Sequence, residues 1–296
     1  MNKNPSGMDK RWPVYAAAMT TVLLWGSAFP AIRYSLHVYS PEALMLLRFL
    51  FASITLAVIG AVKKIRMPKK RDLPMFAMGG FVGVFLYMLL SKNGAVHIEA
   101  GIGSFIVASS PVFVLVLSTL LLREKVKRAC WIGVAVSFGG LVIVMLSQTS
   151  GLVPDIGVLL FLLATLSASL HSIIQRKITR TYTAIEATTY SIVFATLFML
   201  IYSPALIREI PNSSLSANFV VAYLGVFPAA LAYLSWGWAL SKAKKTTYVT
   251  VFVYLVPLVS SVLAYFWLGE TLSFMAILGG VLIIVGMVIT NILGKE

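Results

Sequence analysis

Three basic residues stand inside or at the end of long apolar runs: Arg33, Arg48 and Lys92. Charge in an apolar run is costly in lipid and is functional by default. A buried guanidinium can hold a carboxylate or phosphate through two parallel hydrogen bonds. All three are therefore candidate gating or charge-bearing residues. The competing reading is that Arg33 and Arg48 snorkel to the interface, or pair with Glu42 or Glu99 as an outer gate. His171 stands near Ser167, Ser169 and Ser172, with Gln175 one turn on. Its imidazole either carries a proton near neutral pH or is a satisfied packing histidine. All ten acidic residues fall in loops or at the ends of apolar runs. That pattern argues against a mid-membrane carboxylate relay. With three histidines and one cysteine, Cys130, it also argues against a metal site, a disulfide or a bound cofactor.

Aromatic residues are denser. Trp25, Phe29, Tyr87, Tyr233, Trp236 and Tyr254 are candidate substrate-binding residues together with Ser109 and His171. They would supply an apolar wall with a few polar groups. The alternative is the interfacial belt or simple core packing; Trp238 reads as belt. Pro111 and Pro257 interrupt apolar runs, each freeing a carbonyl one turn upstream, and are candidate hinges.

The elements that must carry these residues are transmembrane helices. The 296-residue chain is 59% hydrophobic and only 11% charged, where a soluble domain has about 25% charged residues. Apolar runs recur, each of the roughly 20 residues that cross a bilayer core, and helices satisfy their own backbone there. Ten spans are expected, at about 13–36, 41–62, 73–92, 98–121, 128–147, 155–177, 184–206, 216–240, 246–268 and 273–293. The first follows a short polar segment and reads as a retained span rather than a cleaved leader. The net charge of +14 falls in alternate loops, with clusters such as Lys63–Arg71 and Arg123–Arg128 on one side. Only Lys92 and Arg208 fall on the other. By the positive-inside rule both termini are cytoplasmic. The charge therefore reads as loop topology, not as a nucleic-acid surface.

Two stretches repeat. Pro111, Glu124, Gly133 and Gly140 recur as Pro257, Glu270, Gly279 and Gly286, all offset by 146 residues without a gap. Gly79 and Tyr87 pair with Gly225 and Tyr233 at the same offset. This is an internal duplication. An offset of five spans is odd, so the second copy must be inverted. The units expected are residues 1–148 and 149–296. Inverted repeats are a common plan of secondary transporters, with the site near the midplane between halves. Glu124 and Glu270 read as caps for free amides at helix N-termini, and the paired glycines as close helix contacts.

Together these features resemble the EamA-type ten-span branch of the drug/metabolite transporter superfamily. The resemblance rests on "WGSAF" from Trp25, "SPEALMLLRF" from Ser40 to Phe49, "SSPVF…LREK" from Ser109 and "LVPLVSSVLAYFWLGETLS" from Leu255. The departure lies in spans six and seven. There an aromatic is missing after the serine, and "TAIEATTYSIVF" lacks the arginine or glutamine expected as counterpart of Arg48. The resemblance implies spans one to four and six to nine around a central cavity, with five and ten peripheral. It also implies movement of small metabolites, often export of amino acids or related compounds.

The expectation is thus an all-α polytopic membrane protein of ten transmembrane helices in two inverted five-helix repeats. It would be a secondary transporter in the inner membrane, monomeric or a weak homodimer, whose partners are a small-molecule substrate and the lipid bilayer, without nucleic acid. The alternatives are an exporter of hydrophobic drugs or toxic compounds and an intramembrane lipid-modifying enzyme. No paired carboxylates or HExxH motif support the enzyme.

Overall fold

The computed structural model describes residues 12–94, 97, 106–146, 156–268 and 274–293. Helices α1 (Trp12–Ser35) and α2 (Pro41–Val62) open the chain. Helix α3 runs as Leu73–Gly80, a π-helical stretch Phe81–Leu86, then Tyr87–Gly94. Helices α4 (Ser110–Leu121), α5 (Arg128–Leu146), α6 (Ile156–Ile178) and α7 (Ala184–Met199) follow. Helix α8 is Leu215–Leu224, a π-helical stretch Gly225–Leu231 and Ala232–Lys242. Helix α9 is Thr247–Thr250, a 3₁₀ stretch Val251–Tyr254 and Leu255–Leu268. Helix α10 is Phe274–Val288 with a π-helical end, Ile289–Leu293. There is no strand among the described residues.

Among the described residues, six helical stretches are long and apolar enough to cross a membrane: Trp12–Ile32, Pro41–Val62, Lys70–Gly94, Ile156–Ile178, Ala184–Asn212 and Leu215–Lys242. Four shorter apolar helices, Ile106–Leu121, Arg128–Ile143, Thr247–Ser260 and Ile277–Leu293, lie at the positions of expected spans four, five, nine and ten. Those spans adjoin residues outside the described ones. Ile54, Leu120, Ile132 and Ile284 all face outward, an arrangement that suits lipid.

Local chemistry starts and stops these helices. Ser40 caps α2 by accepting from Ala43 N, with Pro41 in the first turn where its missing N–H costs nothing. Thr183 and Glu186 cap α7 reciprocally. Arg123, at φ 54°, takes the left-handed turn that ends α4, and Glu124 N then donates back to Ser118 O.

Most of the larger packings come in pairs that exchange under a shift of five helices, α7 on α8 being an exception. Helix α3 lies on α6 as α1 lies on α8. Helix α3 lies on α7 as α2 lies on α8, and α4 on α6 as α1 on α9. The pairs α2–α7, α4–α9 and α5–α10 map onto themselves. The α5–α10 seam is closely packed. A Cβ on Gly133 would come within 2.6 Å of Gly286 O, and one on Gly286 within 2.4 Å of Gly133 O. Gly140 stands against Gly279 O in the same way, at 2.6 Å. The two helices are therefore antiparallel and backbone to backbone. Ser137 Oγ donates across the seam to Ile283 O at 3.0 Å. In lipid, such close approach is what drives helix association.

Candidate functional site

Trp25 of α1 is the hub of a ring cluster. Its indole lies 5.6 Å from Tyr233 and 5.3 Å from Trp236, both on α8. Its Nε1 donates to Pro228 O, in the π-helical stretch, at 3.2 Å. His171 of α6 stacks edge-on against Tyr233 at 5.6 Å, and its Nδ1 lies 3.4 Å from Gly79 O of α3. Trp236 Nε1 donates to Ser172 Oγ at 3.3 Å. Four helices, two from each side of the duplication, thus meet at one aromatic and polar cluster.

The π-helical stretches make this meeting possible. Each inserts a residue into a helix just before a tyrosine, Tyr87 in α3 and Tyr233 in α8. Such bulges are frequent at functional sites. Gly83 in the first is required by close approach, since a Cβ there would sit 2.1 Å from His171 Nδ1. Neither bulge was foreseen from the sequence, although the glycines and Pro228 hinted at irregularity.

Arg48 joins the cluster from α2. It is 8% exposed, so it does not snorkel. Its guanidinium lies over the Phe49 ring at 5.5 Å and within electrostatic reach of the Tyr87 and Tyr233 hydroxyls. Its Nε has no acceptor, and no carboxylate among the described residues pairs with it. Burying an unpaired charge typically costs several kcal/mol, which makes Arg48 the most conspicuous unmet demand in the bundle.

Other candidates sit elsewhere. Glu42 pairs not with Arg48 but with Lys92, at 2.5 Å, so Lys92 is engaged within the first half. Ser109 spends its hydroxyl on Ile106 O at 2.6 Å. The break it marks is stitched to α6, because Thr165 Oγ1 donates to Ile106 O and Ser169 Oγ to Ser110 O. Pro111 and Pro257 both stand where a helix resumes after an irregular turn. Tyr254 is fully buried and its hydroxyl points to Val134 O of α5. The side chains of Phe29 and Arg33, and the residues Glu99 and Glu270, lie outside those described.

The family of known proteins decides what kind of molecule carries this site. The EamA-like transporter family matches residues 12–146 and again residues 155–292. This chain belongs to the EamA-like transporter family. A relative from Streptantibioticus cattleyicolor, named a probable terminal-alkyne amino-acid exporter, is 33% identical over 93% of this chain and 92% of its own. The uncharacterized transporter YdfC of Bacillus subtilis is 31% identical over 90% of this chain and 87% of its own. A crystal structure of 19% identity superposes with a TM-score of 0.81, covering 95% of this chain and 97% of the other, and so shares the fold. This EamA-like chain is a multi-pass membrane protein.

Ties between the halves flank the cluster in this EamA-like chain. At the basic end Glu124 accepts from Thr246 N at 2.9 Å and Thr246 Oγ1 at 2.7 Å. It therefore caps the start of α9, a helix of the other half, rather than the start of α5 as its position suggests. Arg176, 4.0 Å from Glu124, donates to Leu240 O and Ala243 O. Buried Glu186 accepts from Arg66 N at 2.9 Å, Arg66 Nε at 3.1 Å and Thr183 N at 2.8 Å. At the opposite end Tyr39 donates to Asn218, and Ser40 N donates to Glu209 at 2.8 Å. The ties of Glu124 to Thr246, Glu186 to Arg66, Tyr39 to Asn218 and Ser40 to Glu209 were not legible in the sequence, because each joins residues more than 100 positions apart.

The Glu186 tie yields a contrast that thermal unfolding in detergent can read. Glu186→Ala removes a helix cap and leaves two backbone N–H groups without acceptors. It is expected to cost about 1–2 kcal/mol. Arg66→Ala removes a solvent-exposed guanidinium and is expected to leave the melting temperature nearly unchanged.

Proposed function

We propose that this protein is a secondary transporter of small metabolites, amino acids or related compounds first among them, working outward across the inner membrane by alternating access. The observation that carries the reading is the Trp25–Tyr233–Trp236–His171 cluster, with Arg48 beside it. It is shared between the two sides of the duplication and flanked at both ends by ties between them. Two units, residues 1–148 and 149–296, inverted with respect to each other and with both termini cytoplasmic, account for packings that exchange under a five-helix shift. Such units rock about a central site and expose it to each side in turn. The amino-acid exporter among the relatives supports the substrate class. The protein would act as a monomer or weak homodimer.

Flux in proteoliposomes tests this directly. Saturable movement of at least one amino acid above protein-free vesicles is expected, and repeating the assay with and without a pH gradient reports proton coupling. Absence of movement for every amino acid tested would sink the substrate class. A C-terminal reporter on the outer side would overturn the topology. The ring packing around Trp25 favours a second reading, an exporter of hydrophobic compounds. Lipophilic cations competing with amino-acid flux would support it, although the unpaired Arg48 charge opposes a cation.

A further inference from the structure

We infer that Arg48 is the anchor for a substrate carboxylate, which makes compounds bearing a single carboxylate the class this site selects. The inference deepens the transport reading and rests on it only for the movement step.

A guanidinium offers five N–H donors in a planar fork and accepts nothing. At Arg48 that fork is buried, makes no hydrogen bond or ion pair with any described residue, and lies over the Phe49 ring at 5.5 Å. The acidic residues within the described helices are committed elsewhere. Glu42 holds Lys92, Glu186 holds Arg66 and Thr183, and Glu209 holds Ser40 N. An arrangement that leaves one charge buried and unanswered is completed by a ligand of opposite charge. Tyr87 and Tyr233 lie within electrostatic reach of the guanidinium and bring hydroxyl groups to its surroundings. With one described cation at this place, the site matches a single negative charge. A phosphate dianion would call for more. Tyr233 packs in turn against Trp25 and His171, so a carboxylate held by Arg48 places the remainder of its molecule toward the rings.

The test uses the full-length protein in detergent and in proteoliposomes. The probes are L-leucine, L-phenylalanine and L-threonine, each beside its carboxamide, which keeps the side chain and ammonium and removes the negative charge. Phosphoethanolamine serves as the phosphate probe. Binding is read from intrinsic tryptophan fluorescence and from thermal stabilisation. The wild type is expected to prefer the acid of at least one pair. Arg48→Gln should weaken that acid by about 30-fold or more while leaving the carboxamide's affinity within about twofold. Arg48→Lys keeps a charge but not the fork. It guards against a glutamine variant that fails to fold, and should weaken the acid by about tenfold with an acid preference still visible. The inference is overturned if the wild type binds acid and carboxamide alike or binds neither. It is also overturned if both variants lose both forms equally, which marks a structural role, or if phosphoethanolamine binds more tightly than any acid. Acid-selective binding without flux would sink the transport reading and leave the anchor standing. Flux without acid selectivity would do the reverse.

Discussion

Gly133→Val and Gly286→Val are each expected to destroy the α5–α10 seam, whereas Gly139→Val, six residues from Gly133 on the same helix, leaves it intact. At Gly133 a Cβ would stand 2.3 Å from Thr290 Oγ1 and 2.6 Å from Gly286 O; at Gly286 it would stand 2.3 Å from Ser137 Oγ and 2.4 Å from Gly133 O. Carbonyl oxygens of a neighbouring helix cannot swing aside as a flexible side-chain end can. Relief therefore requires the helices to part, which also breaks the bond from Ser137 to Ile283 O. Overpacking of this kind costs about 3 kcal/mol or more, and van der Waals contact is the main attraction between helices in lipid. A Cβ on Gly139 would have no atom of a neighbouring helix within 4 Å, so no carbonyl has to give way to it. Yield of monodisperse protein and the melting temperature in detergent read the difference. Equal behaviour of the three variants would refute the seam.

Trp25→Ala is expected to abolish flux and lower stability by about 3 kcal/mol, while Trp25→Phe keeps most of the fold. The alanine variant loses both ring contacts to α8, at 5.6 and 5.3 Å, and empties the centre of the cluster. The phenylalanine variant retains an aromatic face but leaves Pro228 O without the donor at 3.2 Å, at a cost of about 1 kcal/mol. Flux and melting temperature measured on both variants separate the two contributions. A flux of wild-type magnitude in Trp25→Ala would remove this cluster from the transport path.

Much of the site was legible residue by residue. The apolar runs, the intramembrane position of Arg48 and the aromatic residues at 25, 233 and 236 follow from composition and spacing. The structure brings Trp25, Tyr233, Trp236, His171, Arg48 and Tyr87 together. It sends Tyr254 toward α5 and spends Ser109 within its own turn. Helical periodicity could not separate these outcomes. In helices apolar on nearly every face, such as α5 and α10, no polar stripe marks which side faces lipid.

By itself the sequence determined the helical class, because apolar runs of this length leave the backbone no other way to meet its own hydrogen bonds in lipid. It also determined the 146-residue register, because proline and glycine mark backbone positions that other residues fill poorly. Only the tertiary structure decided who partners whom. Glu42 takes Lys92, Glu124 reaches across to Thr246, and Arg48 Nε has no acceptor among the described residues. A side-chain pair is set by helix rotation and by the one-residue slips of the π-helical stretches in α3 and α8, which shift every later residue of those helices by about a quarter turn. Those are properties of packing between distant segments, and no local spacing encodes them.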